Sequence, residues 1–79
     1  MTEVEQVTKT AYRIRQRLAA EAARAADIRT PKEQAWRIMR QLIALGELVD
    51  RLQDTYEQTD SPSTRYAIRA ALDRVNEAV

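Results

Sequence analysis

Apolar residues recur every three or four positions along most of the chain, which is the spacing of one helix face. Thr2 and Glu5 form a capping-box pattern at the start of the first stripe. This predicts a helix over about residues 2–28, ending near Asp27 or Ile28. The stripe consists of Val4, Val7, Ala11, Ile14 and Leu18.

The clearest helix start lies at Thr30, Pro31 and Glu33. We expect Thr30 to be the N-cap, Pro31 to take the first helical position and Glu33 to complete a capping box. A second helix is predicted over about residues 31–58. Because the residue before a proline avoids helical geometry, the first helix must end by Arg29. So short a connection makes the two helices antiparallel neighbours.

A turn at residues 59–64 separates the second helix from a third. Ser61 is expected to cap it and Pro62 to take its first position, which predicts a helix over about residues 62–78. The expected fold is an all-α three-helix bundle, a long antiparallel hairpin plus a shorter third helix, in a single domain over residues 1–79. The apolar face of the third helix contains Ile68, Leu72, Val75 and Val79.

The second helix is apolar on two faces. Its main seam is Ala35, Ile38, Leu42, Leu45, Val49, Leu52 and Tyr56. A second stripe contains Trp36, Met39 and Ile43 and reaches Gly46. The third helix is too short to cover this second stripe, and an exposed apolar patch usually marks an interface. The alternative is that the third helix tilts and makes Trp36 part of the core.

The interface hypothesis has a defined set of residues. Trp36 is expected to be its anchor, because tryptophan is enriched at energetic hot spots. Arg37 and Arg40 are expected to form the polar rim beside the stripe. The predicted function is a small non-enzymatic interaction module, an adaptor, inhibitor or assembly protein, and a homodimer is the simplest form.

The size of the chain supports an oligomer. A chain of 79 residues buries a modest core, and small domains often add a disulfide, a metal or a second subunit. The chain has no Cys and no His, so disulfides and the usual zinc ligands are excluded. No apolar run is long enough for a membrane span, and the acidic N-terminus does not resemble a signal peptide. We therefore expect a cytoplasmic protein with no membrane partner.

The net charge of +1 is unevenly distributed. Residues 1–40 hold nine basic and five acidic side chains, a balance of +4. Residues 41–64 hold one basic and five acidic side chains, a balance of −4. The basic row of the first helix is expected to pair with the acidic row of the second and so to set the hairpin register. The basic row consists of Lys9, Arg13 and Arg17. The acidic row consists of Glu47, Asp50 and Asp54.

The alternative function is nucleic-acid binding by the Arg-rich face of the first helix. An aromatic residue next to arginines could stack on bases and contact phosphates. The small net charge and the absence of a helix-turn-helix signature make this the weaker hypothesis. The candidate contacts are Lys9, Tyr12, Arg13, Arg15 and Arg17.

Catalysis has little support in the sequence. There is no His or Cys, and one Gly cannot form a phosphate-binding loop. The Glu47–Asp50 spacing is similar to a carboxylate motif of the all-helical nucleoside-triphosphate pyrophosphohydrolases, which hold Mg²⁺. That family needs a second carboxylate pair on a neighbouring helix, where this chain has basic residues. We therefore expect no catalytic residue, no metal and no cofactor.

Overall fold

The computed structural model describes residues 2–79, and this part of the chain is all-helical with no strand. Helix α1 spans Glu3–Ala25, α2 spans Lys32–Gln58 and α3 spans Pro62–Ala78. The predicted all-α class and the three helices are confirmed. None of the helices in the described residues combines the length and apolar character required to cross a membrane.

Two of the three predicted helix starts have the expected caps. The Glu5 backbone N–H donates to Thr2 Oγ1 at 3.2 Å, and the Thr64 N–H donates to Ser61 Oγ at 3.4 Å. The predicted start of α2 is wrong by one residue. Its N-cap is Pro31, with extended geometry at ψ 137°, and no side chain caps it. Thr30 lies one position too early to cap the helix.

The predicted end of α1 is also wrong, because the helix ends at Ala25 and not near residue 28. Asp27 organises the connection instead. Its side chain accepts the Arg29 backbone N–H at 2.9 Å, and its carbonyl accepts the Thr30 N–H at 2.9 Å. These bonds hold the backbone in a turn. The hydrogen bond from the Arg29 backbone N–H lowers the pKa of the Asp27 carboxyl, and the Arg29 side chain lowers it further.

Side-chain contacts define the directions of the helices. Glu3 lies next to Tyr56, whereas Arg15 lies next to Asp50, so α1 and α2 are antiparallel. Glu3 also contacts Arg69, and Arg17 contacts Asn76, so α1 and α3 are parallel. Each helix packs against the other two.

The core lies where all three helices overlap. Tyr56, Ile14, Leu72 and Val49 are its largest fully buried side chains. Helix α3 ends level with Arg17 of α1, so the last two turns of α1 and the first turns of α2 extend beyond it. The hairpin is therefore covered by a third helix at one end only. The buried core cluster is Val7, Ala11, Ile14, Leu18, Val49, Tyr56, Ile68 and Leu72.

Candidate protein-interaction site

Large apolar side chains are exposed on the part of α2 that α3 does not reach. Trp36 is 67% exposed and Ile43 is 58% exposed, while Met39 between them is half-buried. The tilted third helix that would bury Trp36 does not occur. In the described part of the chain no element covers this stripe.

The stripe forms one wall of an apolar groove between α1 and α2. A cavity of about 440 Å³ lies between Trp36, Met39 and Ala26. A second cavity, of about 350 Å³, continues past Met39 toward Ile43 and Gly46. Met39 lines both, so the two cavities adjoin. We call this surface the Trp36 groove, formed by Trp36, Met39, Ile43 and Gly46 of α2, by Ala19 and Ala22 of α1, and by Ala26 just after the end of α1.

Gly46 is not required by packing within the chain. A Cβ atom built at Gly46 would lie 3.9 Å from Leu18 Cδ1, which is an ordinary van der Waals contact. A helical glycine costs about 1 kcal/mol relative to alanine. An alanine would therefore fit at position 46, and the glycine leaves unfilled space where α2 lines the groove.

The other side of Trp36 is polar. Arg37 and Arg40 are exposed there and line a cavity of about 410 Å³ together with Trp36 and Glu33. Neither arginine forms an ion pair within residues 2–79. The indole thus stands between an apolar groove and a basic edge, an arrangement typical of an interface with a polar rim.

The structure distributes the candidate nucleic-acid contacts over more than one side of α1. Arg15 faces α2, where it pairs with Asp50 at 2.7 Å. Arg17 donates to the Asn76 carbonyl of α3. Lys9 and Arg13 line a depression between α1 and α3. Tyr12 is exposed.

The predicted pairing of the charged rows is consequently wrong. Lys9, Arg13 and Arg17 do not face the acidic row of α2, because that flank of α1 lies toward α3. The opposite flank, through Arg15, contacts Asp50 and Gln53. The hairpin does carry a charge pair between its helices, but a different arginine provides it.

The acidic row of α2 does not form a metal cluster. Among the described residues, no group of three or more carboxylate, imidazole or thiol side chains is placed to hold a metal ion. Asp50 is engaged by Arg15, and Glu47 is exposed beside the groove. The row therefore divides into one residue that joins the hairpin and others that face solvent.

The interface residues predicted from the sequence all lie on α2, whereas α1 contributes small side chains to the other wall of the groove. Ala19 and Ala22 are three residues apart on one face of α1, and Ala26 follows directly after the helix ends. That spacing was a usable signal, since small side chains at helical intervals leave room for close approach. The large apolar side chains in the sequence predict only the α2 wall of the Trp36 groove.

Comparisons with known proteins do not assign the chain to a family. No protein-family model, no curated protein and no solved structure matches it. The support for a function therefore comes from the geometry and charge of the Trp36 groove.

Proposed function

We propose that this protein is a small non-enzymatic protein-interaction module that binds a partner through the Trp36 groove. It would act in the cytoplasm as an adaptor, inhibitor or assembly protein. The observation that carries the proposal is a tryptophan that is 67% exposed beside an open apolar groove. Contiguous exposed apolar surface of this kind marks binding sites in monomeric domains.

The energetics favour a protein partner. Burying the exposed part of the indole removes on the order of 150 Å² of largely apolar surface from water, worth roughly 3–4 kcal/mol. Ile43 and Met39 add to this in the same groove. A contact of that size is typical of the anchor of a protein interface, with Arg37 and Arg40 as its rim.

The nucleic-acid alternative receives less support from the geometry. Binding a phosphate backbone needs several basic side chains on one continuous surface. Here Arg15 and Arg17 are engaged by opposite flanks of the bundle, and Lys9 and Arg13 lie on the α3 side. No single face presents all the candidate contacts.

A photo-reactive amino acid placed at position 43 tests the proposal in the cells that produce the protein. Irradiation should give a covalent adduct with a protein, identified by mass spectrometry, and Trp36→Ser should abolish it. The same probe at position 66 is the matched control, because Tyr66 is exposed on α3 away from the groove. Equal adducts from both positions, or none that depends on Trp36, would refute the proposal.

A further inference from the structure

We infer that the occupant of the Trp36 groove is a second copy of this chain, packed antiparallel along α2 about a two-fold axis between Met39 and Arg40. This inference rests on the proposed function and names its partner. It follows from a pattern of charge and apolarity on α2 that is complementary to itself.

Between residues 32 and 47 of α2, four exposed side chains share one face. At about 100° per residue, they fall within about 60° of one another around the helix. Their order along the helix is basic, apolar, apolar and acidic. They are Lys32, Trp36, Ile43 and Glu47.

One register satisfies all four side chains. Lys32 precedes Trp36 by four residues, and Glu47 follows Ile43 by four. An antiparallel copy that sets Trp36 opposite Ile43 of the second copy therefore sets Lys32 opposite Glu47 of the second copy. The two-fold axis repeats both contacts, so the interface has two apolar contacts and two ion pairs. A two-fold dimer requires a patch that is complementary to itself in this way.

The charged ends of the patch are available for this pairing. Lys32 and Glu47 are exposed, and neither forms an ion pair within residues 2–79. Asp50, the neighbouring carboxylate, is already paired with Arg15. A parallel arrangement of two α2 helices would instead place Lys32 beside Lys32, and like charges at an interface disfavour that partner orientation.

Sedimentation equilibrium over a range of concentrations, with charge-reversal variants, tests the inference. The wild type should form a dimer whose dissociation constant rises with salt. Lys32→Glu alone and Glu47→Lys alone should each weaken it by about 10-fold, since each turns two attractions into two repulsions. An equimolar mixture of the two variants should restore association as a heterodimer, because each mismatched end then meets the opposite charge.

Two substitutions serve as charge-matched controls. Lys9→Glu and Glu77→Lys change the net charge equally at exposed positions outside the Trp36 groove, and both should leave the dimer unchanged. Circular dichroism on every variant verifies that the helices are intact. A loss of dimer in the controls as well would assign the effect to overall charge and overturn the register.

The outcomes separate this inference from the proposed function. A monomeric wild type overturns the inference that a second copy occupies the Trp36 groove. Trp36-dependent adducts between position 43 and a different protein would still support the proposed function. A dimer that persists in Trp36→Ser, or a mixture that fails to restore association, likewise overturns the interface inferred here. The absence of any Trp36-dependent adduct overturns the proposed function itself.

Discussion

Tyr56 at the end of α2 donates a hydrogen bond from its hydroxyl to Glu3 Oε2 at the start of α1, at 3.3 Å. The tyrosine is only 1% exposed, and the Arg65 guanidinium carbon lies 5.6 Å from its ring centre. Arg69 of α3 reaches the same Glu3 carboxylate at 3.4 Å. One aromatic side chain thus joins all three helices at the covered end of the bundle.

Truncating this tyrosine should be the most damaging single change in the core. Tyr56→Ala should lower the free energy of unfolding by about 3–5 kcal/mol, because it leaves a large cavity. Tyr56→Phe should cost only about 0.5–1.5 kcal/mol, since it removes the hydroxyl and keeps the ring. Urea denaturation followed by circular dichroism measures both. Tyr66→Ala is the control, and an equal cost at exposed Tyr66 would contradict the packing described for Tyr56.

Gly46→Ala should separate folding from binding. The monomer should become more stable by up to about 1 kcal/mol, because the added methyl group raises helix propensity and meets Leu18 without a clash. Association through the Trp36 groove should become weaker, because the methyl group narrows it. Urea denaturation at low concentration and sedimentation equilibrium measure the two effects. Ala44→Gly, at an exposed position outside the groove, should lose stability and leave association intact; a destabilised Gly46→Ala would show that the space beside Leu18 is absent.

Arg15→Ala should destabilise the hairpin modestly, by about 0.2–1 kcal/mol, because its partner Asp50 is largely exposed and solvent screens the pair. Arg13→Ala should have no measurable effect on the α1–α2 contact, because Arg13 lies on the α3 side. A double-mutant cycle with Asp50→Ala, at low and at high salt, isolates the interaction. Coupling of Asp50 to Arg13 in place of Arg15 would show that the opposite flank of α1 faces α2.

The pKa of Asp27 should lie below the ordinary value for an aspartate in a titration followed by NMR. The Arg29 backbone N–H is the main cause and the Arg29 side chain adds to it, so the folded state favours the carboxylate. This contribution to stability is complete at pH values above the ordinary aspartate pKa of about 4, and it is lost as the pH falls through the lowered pKa. In Asp27→Asn the acid-dependent part should disappear. A pKa at or above the ordinary value would show that the turn does not form in solution.

Local sequence signals predicted the helices well because they act over a few residues. Ser61 and Pro62 fixed the start of α3, and Thr2 fixed the start of α1. The end of α1 was predicted too late because the Asp27 side chain competes with the helix for backbone hydrogen bonds. The spacing of apolar residues carries no information about that competition. The exposed position of Trp36 followed from helix length alone, since α3 is ten residues shorter than α2 (17 against 27).

The charge pairing could not be predicted for a geometric reason. The apolar stripe of α1 shows which side faces the core, but three helices can be arranged around a core in two hands. In one hand the Arg13 flank lies against α2, and in the other the Arg15 flank does. The structure has the second arrangement, which the apolar pattern could not distinguish from the first.

Because α3 ends level with Arg17, the molecule has a well-anchored half and a lightly anchored half along its 46 Å length. Backbone amides near Trp36 should exchange with solvent sooner than those near Tyr56, since local opening there disrupts fewer buried contacts. A partner bound at Trp36 would slow amide hydrogen exchange most strongly in the first turns of α2. Binding would therefore also rigidify the end of the hairpin around Trp36, which α3 does not cover and which has the fewest stabilising contacts within the chain.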